Sequence, residues 1–280
     1  MKAPVFAVLG ALALAAQTAT PPVSVTFREG TNMAAALSPD GRTLMIDVQG
    51  SLWTLPASGG VARRVTDEYL DARQPAWAPD GRRVAFQGYA DGVFHLYVMS
   101  ADGTDLHAVT SGPYDDREPS WSRDGRSLAF SSDRSGNYDI WTLDVAAGSV
   151  QQVTKNPAND YAPAYSPTAS TIAFVTERED RRGVWTIDPA TGAETSVAPA
   201  AGAVAAPSWT PDGARVIYNV IVNYRSNLVL DGKEVTRDED VFPFRAQWLS
   251  PTEFLYTADG KIKKRAVGAA TPAVIEFTAA

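Results

Sequence analysis

The residues that most often carry out chemistry in proteins are scarce in this chain. It has two histidines, His95 and His107, and no cysteine among 280 residues. Neither histidine belongs to a His-x-His or His-Glu-x-x-His pattern, whose spacing lets two imidazoles bind one metal ion. The sequence also lacks a Gly-x-Ser-x-Gly nucleophile turn and a glycine-rich phosphate loop. We therefore predict no catalytic residue, no metal site and no cofactor in this chain.

Charged and polar residues recur in the segments that precede the first strand of successive repeats. They are Asp71 and Arg73, then Asp115, Asp116 and Arg117, then Asp160 and Tyr161 with Asn159, and finally Asp240 and Arg245 with Glu239. Segments that recur at the same place in each repeat gather at one end of a repeat fold, where they can bind a ligand, a cation or a partner's loop. Under a second interpretation, each aspartate caps a turn and pairs with a nearby arginine. Both interpretations stay open from the sequence.

The elements that position these residues form an internal repeat. An aromatic residue, a small residue and Pro-Asp-Gly, or a variant of this pattern, begin at Leu37, Trp77, Trp121, Tyr165, Trp209 and Trp248. Two further markers keep a step of 44 residues, namely an aromatic at Trp53, Tyr97, Trp141 and Trp185, and a valine at Val65, Val109, Val153 and Val197. Three markers that stay in phase indicate a true repeat.

Each repeat contains four short predicted strands and no helix. In the second repeat they span residues 75–78, 83–87, 95–100 and 107–110, separated by Asp-Gly or glycine-rich turns. A single four-stranded sheet with two apolar faces needs a neighbour on each face, and blades packed around an axis provide both. The sequence therefore predicts an all-β fold, a β-propeller of about six four-stranded antiparallel blades with the aromatic markers between blades.

The N-terminus is typical of a signal peptide, predicted over residues 1–16. Lys2 precedes an apolar run, and Ala13-Leu14-Ala15 provides small residues for cleavage. The propeller is predicted over 17–280, with blades at about 33–66, 74–110, 118–154, 162–198, 206–236 and 244–278. Residues 23–27 alternate like a strand and could complete the last blade, although repeat six supplies four strands of its own. How the ring closes, and whether the chain is a fragment of a longer protein, stay open.

The charge pattern limits the partners. The formal net charge is -7, and lysine and arginine are interspersed with acidic residues instead of forming a stripe, so a nucleic-acid partner is excluded. No apolar segment after the signal peptide is long enough to span a membrane. We expect a periplasmic or extracellular protein that binds a protein partner, a following catalytic domain or a small ligand at the channel mouth.

The repeat resembles the TolB-type propeller repeat through its Pro-Asp-Gly turn and the Leu-Trp or Leu-Tyr pair of its third strand. Residues 29–33, 50–56, 240–245 and 254–261 also resemble the N-terminal propeller region of secreted bacterial amidohydrolase-family proteins. That second resemblance implies a metal-dependent (β/α)8 barrel downstream. The barrel, its His-x-His pair, its bridging lysine and its further histidine are all absent here, so no catalytic role transfers to any residue of this chain.

Three functions follow as hypotheses. The chain is predicted to be a non-catalytic scaffold, the N-terminal part of a secreted amidohydrolase. One alternative is a free-standing TolB-like interaction module, although only a few residues separate the signal peptide from the first repeat, where TolB carries an α/β domain. Another is the propeller of a prolyl-oligopeptidase-type peptidase. In the reading frame beyond Ala280, His-x-His would favour the first, a stop codon the second and Gly-x-Ser-x-Gly the third.

Overall fold

The computed structural model describes residues 25–179, 183–199 and 202–280. The described residues form six sheets of four antiparallel strands, one of which gains a fifth, parallel strand, and no helix, so the prediction of an all-β, six-bladed propeller is confirmed. None of them forms a helix that is long and apolar enough to cross a membrane. The predicted signal peptide, residues 1–16, lies outside the described residues.

The strands follow the chain four to a blade, with one extra strand at the C-terminus. Blade 1 contains β1 (Ala35–Leu37), β2 (Thr43–Val48), β3 (Ser51–Pro56) and β4 (Gly60–Arg64); blade 2 contains β5 (Arg73–Trp77), β6 (Arg83–Ala90), β7 (Val93–Ser100) and β8 (His107–Ala108); blade 3 contains β9 (Asp116–Trp121), β10 (Ser127–Ser132), β11 (Asp139–Asp144) and β12 (Val150–Gln152). Blade 4 contains β13 (Asp160–Tyr165), β14 (Ile172–Thr176), β15 (Gly183–Ile187) and β16 (Glu194–Pro199); blade 5 contains β17 (Ala203–Trp209), β18 (Val216–Val222), β19 (Arg225–Leu230) and β20 (Lys233–Glu234); blade 6 contains β21 (Gln247–Ser250), β22 (Glu253–Ala258), β23 (Lys261–Ala266) and β24 (Ala273–Ile275), and β25 is Phe277–Ala279.

The first strand of each blade is the innermost. β1, β5, β9 and β13 each contact the first strand of the next blade around the axis, and β1 also contacts β21, which joins the first blade to the last. The second strands are almost entirely buried, and Phe86, Phe130 and Phe174 occupy the same place on β6, β10 and β14. The apolar faces of neighbouring blades therefore pack on each other.

The Pro-Asp-Gly turn joins the first and second strands. In blade 1, the carboxylate of Asp40 accepts hydrogen bonds from the Ser38 hydroxyl at 2.6 Å and the Arg42 amide at 3.1 Å. These bonds lower the pKa of Asp40. Gly41 follows with φ +71, a conformation that glycine adopts without a Cβ clash. The turn is thus fixed by local chemistry.

The tryptophans of the repeat pattern join neighbouring blades, as expected. The indole N–H of Trp77 donates to the Ala36 carbonyl at 3.2 Å, that of Trp121 to the Ala76 carbonyl at 3.1 Å, and that of Trp209 to the Ala164 carbonyl at 2.9 Å. Each acceptor lies on the innermost strand of the preceding blade. These three tryptophans therefore fill interfaces and satisfy their polar atoms there, whereas the buried indole N–H of Trp248 has no hydrogen-bond partner.

The ring closes through the C-terminus. β25 pairs in parallel with β4, the outer strand of blade 1, while blade 6 is complete with its own four strands. On the other side of β25, Phe27 and Ala279 exchange two backbone hydrogen bonds of 2.7 and 2.9 Å. The N-terminal segment thus pairs with the C-terminal strand at blade 1 instead of completing blade 6. Of the predicted segment 23–27, residues 23 and 24 lie outside the described residues.

Candidate functional site

The innermost strands of four blades bulge toward the channel at the same place. Gln74, Glu118, Ala162 and Ala206 all have positive φ, between 47 and 60, and each is followed by proline. The register of β5, β9, β13 and β17 shifts at this place. Because proline has no N–H and a bulge breaks the ladder, backbone groups here are left for other partners. The bulges therefore make the channel wall polar at mid-height.

Polar side chains on the second strands satisfy these freed backbone groups from the neighbouring blade. Asp47 Oδ2 accepts the Gln74 N–H at 2.7 Å, and Gln87 Oε1 accepts the Glu118 N–H at 2.9 Å. Ser131 Oγ accepts the Ala162 N–H at 3.1 Å. In blade 5, the Asn219 amide group instead donates to the Phe244 carbonyl at 3.3 Å. The four residues occupy one register position on β2, β6, β10 and β18, and each bridges to the next blade.

One end of the channel opens into a polar cavity of about 530 Å³, which we call the polar mouth. Its lining combines amides, both signs of charge and two aromatic rings: Thr31, Asn32, Asp47, Gln49, Gly50, Glu68, Asp71, Arg73, Gln74, Gln87, Phe94, Arg117 and Phe244. They come from blades 1 to 3 and from the segment before β21. Most lie on strands or on the turns next to them, so the framework holds them in place.

Asp47 is the most perturbed acid at the polar mouth. It is 7% exposed, and its second carboxylate oxygen accepts the Ala34 N–H at 2.6 Å. Burial raises the pKa of Asp47 to about 7, although the two backbone N–H donors and nearby Arg73 act in the opposite direction. This side chain therefore changes charge near neutral pH, inside a cavity.

Two predicted acid–arginine pairs lie at this mouth. Arg73 binds Asp71 through two hydrogen bonds of 2.9 and 2.8 Å, and Arg117 contacts Asp115 at 2.6 Å. Both guanidinium groups lie near the ring of Phe94, Arg117 at 4.7 Å and Arg73 at 5.9 Å from its centroid. The two arginines are about half exposed, so they are available to a ligand as well as to their aspartates.

Asp115 also joins this mouth to blade 3. Its carboxylate accepts the Phe94 N–H at 3.0 Å and the Tyr138 hydroxyl at 2.6 Å. Burial acts to raise the pKa of Asp115, but the bonds from Arg117 and Tyr138 outweigh it and lower the pKa overall. Asp115 is therefore a fixed negative charge that orients Arg117.

Asp116 and Asp160 do not line the mouth. Their carboxylates are fully buried within blades 3 and 4, where Asp116 pairs with Arg134 at 2.7 Å and Asp160 with Arg178 at 2.9 Å. The two pairs lie 44 residues apart, so the same buried ion pair recurs in consecutive blades. A buried ion pair that loses one partner leaves an uncompensated charge, so these aspartates belong to the framework. This is the pairing that the second sequence interpretation expected.

Tyr161 and Asp240 also lie outside the polar mouth. The Tyr161 hydroxyl donates at 2.6 Å to Glu177, which directly follows β14 of blade 4. Asp240 lines a small separate depression near Tyr224 and Asp259, and its backbone N–H donates to Asp259 at 2.9 Å. The charged and polar residues predicted from the segments before the first strands thus do not all line one cavity.

Arg245 lies inside the channel instead of at its mouth. It occupies the blade 6 position that corresponds to the bulge residues Gln74 and Glu118. From there it crosses the axis to the opposite blades, donating to the carbonyls of Pro119 at 2.8 Å, Glu118 at 2.9 Å and Pro163 at 2.5 Å. Burial lowers the pKa of Arg245 to about 10, which leaves it protonated at neutral pH.

Arg245 forms the floor of a second cavity, of about 440 Å³, at the end of the channel opposite the polar mouth. We call it the aromatic cavity, since the repeat's aromatic residues line it: Trp77, Trp121, Tyr165, Trp209 and Trp248. Prolines of the turns between first and second strands surround them. Gln74 and Phe244 line both cavities, so they lie where the channel is divided.

Several residues that line the two cavities were not identified from the sequence. Asp47, Gln74 and Gln87 do not stand out as charged clusters, and the roles of Phe94 and Phe244 depend on the fold. A signal does exist, because Asp47, Gln87, Ser131 and Asn219 recur in phase with the aromatic markers. Polar residues at a recurring position on otherwise apolar strands indicate a channel-facing row.

No metal centre is found among residues 25–179, 183–199 and 202–280. In these ranges no group of three or more His, Cys, Asp or Glu side chains could hold a metal ion. His95 is buried on β7, and His107 is exposed on β8 with Nδ1 2.7 Å from the Asp105 carbonyl. The two histidines therefore lie apart from both channel cavities.

Comparison with known protein families shows which family this chain belongs to. The model of the TolB beta propeller domain, PD40, matches residues 57–234, well over half of the chain. The chain belongs to this family. The predicted TolB-type resemblance is confirmed, whereas the resemblance to amidohydrolase-associated propellers stays a prediction. No curated protein matches the sequence.

Solved structures show the same fold in this TolB-like propeller's relatives. TolB from Acinetobacter baumannii is 23% identical with a TM-score of 0.62, over 72% of this chain and 53% of that one. A putative TolB from Agrobacterium tumefaciens is 18% identical with a TM-score of 0.61, over 90% and 80%. The tricorn protease is 15% identical with a TM-score of 0.65, over 84% and 25%. The match thus spans about half of the Acinetobacter protein and a quarter of the protease.

Proposed function

We propose that this TolB-like propeller is a non-catalytic binding scaffold whose polar mouth recognises a mixed-charge segment of a partner protein or of an adjoining domain. The observation that carries the proposal is the lining of this mouth. It places two half-exposed arginines, three glutamines and the buried Asp47 around one cavity on a rigid framework. Such a surface offers complementary charge without a nucleophile or a metal.

The proposed setting is a secreted protein in which the propeller is the N-terminal part of an amidohydrolase and requires no cofactor of its own. The segments that resemble amidohydrolase-associated propellers support this setting. The tricorn protease match adds support, because there a propeller of this shape forms only part of a longer chain. The periplasmic or extracellular location is supported by the signal-peptide pattern of residues 1–16. A free-standing TolB-like module is the alternative that the family match favours.

Selection from a phage-displayed dodecapeptide library tests the binding function. We expect enriched peptides that contain both acidic and basic residues and that no longer bind the double variant Arg73→Glu, Arg117→Glu. The matched control is Arg63→Glu, Arg215→Glu, which reverses two exposed charges away from the polar mouth. Enrichment that is equal in both variants, or no enrichment at all, would argue against the proposal.

Turnover assays test the non-catalytic part. We expect the purified chain to leave amide, ester and lactone substrates intact, with or without added zinc. Zinc-dependent turnover that survives His95→Ala and His107→Ala would show a catalytic site that the sequence and the described residues do not reveal.

A further inference from the structure

The aromatic cavity has an unusual charge for this protein. Its lining contains two arginines, Arg245 at the floor and Arg123 at the rim, and no aspartate or glutamate. The chain as a whole has 32 acidic residues and a net charge of -7. A cavity with positive charge in an acidic protein favours an anionic occupant.

Arg245 has hydrogen-bonding capacity left for such an occupant. It donates only to backbone carbonyls, and it makes no ion pair with a carboxylate among the described residues. Its Nε–H is buried and has no hydrogen-bond partner. An unsatisfied buried donor is costly, and a guanidinium binds a carboxylate more strongly than it binds carbonyls.

The nearest acid offsets part of the charge of Arg245 but makes no ion pair with it. Glu118 lies beside it in the channel, but its carboxylate accepts the Ser131 hydroxyl and the Ala162 N–H, both at 2.7 Å. These bonds hold Glu118 against blades 3 and 4. The positive charge of Arg245 is therefore left facing the cavity.

Arg123 adds a second cation at a place where the repeat has proline. Pro39, Pro79, Pro167 and Pro211 occupy the corresponding positions in blades 1, 2, 4 and 5. The Arg123 guanidinium has only a long contact of 3.4 Å to the Thr168 carbonyl. The rim aspartates of these turns, such as Asp124, bond instead to their own turns. Blade 3 thus departs from the repeat by adding positive charge at the cavity.

The walls of the aromatic cavity favour an anionic ligand whose uncharged part is apolar. Four tryptophans and Tyr165 line the cavity together with prolines and alanines, and its volume of about 440 Å³ lies in the range of small-molecule sites. The indole N–H groups of Trp77, Trp121 and Trp209 are already bonded to the blades, so these three walls offer mainly ring surface, whereas the N–H of Trp248 has no partner. A charged floor below flat apolar walls suits a flat molecule with one acidic end.

We propose that the aromatic cavity binds a small aromatic carboxylate, with the carboxylate on Arg245 and the ring against the tryptophans. The site is separate from the polar mouth and does not depend on the function proposed for that mouth. The double variant Arg73→Glu, Arg117→Glu should therefore bind such a ligand as the wild type does.

Titration with 1-naphthylacetate and with its neutral isostere 1-naphthylacetamide tests the proposal, with calorimetry and tryptophan fluorescence as measurements. In the wild type we expect the carboxylate to bind at least 10-fold more tightly than the amide and to quench tryptophan fluorescence. Equal affinity for the two compounds, or no binding of the carboxylate at millimolar concentration, would overturn the proposal.

Variants then locate the site. Arg245→Met should lower carboxylate affinity at least 10-fold and leave amide affinity unchanged. Arg123→Pro, which restores the residue of the other blades, should lower carboxylate affinity 2- to 5-fold, whereas the control Arg63→Ala should have no effect. If circular dichroism shows that Arg245→Met does not fold, the proposal is tested by Arg123→Pro and by the comparison of carboxylate and amide in the wild type. Unchanged carboxylate affinity in Arg123→Pro and in folded Arg245→Met would contradict the assignment.

Discussion

The pKa of Asp47 is subject to two opposing effects, its hydrogen bonds and its burial. Its two carboxylate oxygens accept the N–H groups of Ala34 and Gln74, which joins the innermost strands of blades 1 and 2. Its burial in the protein removes water that would stabilise the charge, and this effect is the larger one, since the pKa rises to about 7. The structural joint between the two blades is therefore sensitive to pH.

We expect Asp47 to make the protein less stable as pH rises from about 4 to 7. In this window the folded state keeps a proton that the unfolded chain has lost, so the free energy of unfolding falls with rising pH. One pKa unit corresponds to about 1.4 kcal/mol, which limits the effect to a few kcal/mol. Urea unfolding of the wild type and Asp47→Asn at pH 4.5 and 7.5 measures it. A stability difference that is the same at both pH values would contradict the prediction.

At the residue scale, the sequence identified charged positions but not their surroundings. Asp115 and Asp116 are adjacent and look equivalent, yet one orients Arg117 at the polar mouth and the other is buried against Arg134. Alternation along β9 directs neighbouring side chains to opposite faces, and only the packed blade shows which face is solvated. The surroundings of Arg245 could not be predicted from the sequence either, because its carbonyl partners lie 82 to 127 residues away in the chain.

At the scale of the element, a threonine follows the valine marker at Val65, Val109 and Val153, and the structure shows why. The hydroxyl of Thr66 accepts the N–H of Leu52, Thr110 accepts that of Leu96, and Thr154 accepts that of Ile140, at 2.8 to 2.9 Å. In each case the threonine follows the outer strand and binds a residue of the third strand. Thr236 forms the same bond with Leu228 in blade 5, where the 44-residue step is no longer kept. The spacing could be predicted from the sequence, but the bond that explains it could not.

Replacement of one such threonine should cost about 1 to 2 kcal/mol of unfolding free energy. Thr110→Val keeps the shape of the side chain but removes the oxygen that satisfies the buried Leu96 N–H. The exposed Thr195 on β16 is the matched control, and Thr195→Val should change stability by less than about 0.5 kcal/mol. Chemical denaturation of the three proteins gives the values. Equal effects at the two positions would show that the hydroxyl of Thr110 contributes nothing specific.

At the scale of the whole molecule, repeat spacing determined the number and order of blades but not their closure. A period of 44 residues applies to each blade and its neighbours, whereas closure depends on a single pairing outside the repeat. Three residues of β25, Phe277 to Ala279, pair with β4 and with Phe27. Such a short parallel segment has no turn signal and no alternation of its own, so the sequence could not distinguish it from the end of blade 6.

Gly59 allows the closure to be tested by one methyl group. It has φ +93, and a Cβ at this position would clash with the backbone carbonyl oxygen of Glu276, just before β25. Gly92 provides the matched control, since its φ is +94 and a Cβ there would meet nothing within 4 Å. Both alanine variants carry the same backbone strain, of the order of 1 to 2 kcal/mol, and only Gly59→Ala also displaces the closing strand.

We therefore expect Gly59→Ala to lower the unfolding free energy by more than Gly92→Ala does. When the ring of a propeller opens, the two blades that meet at the opening no longer pack against each other. Hydrogen–deuterium exchange should report the cause, with faster exchange at the Ala279 amide in Gly59→Ala and unchanged exchange there in Gly92→Ala. The Ala279 N–H donates to Phe27, so its protection depends on the closed ring. Equal destabilisation with unchanged exchange at Ala279 would mean that the strand at the C-terminus does not hold the propeller shut.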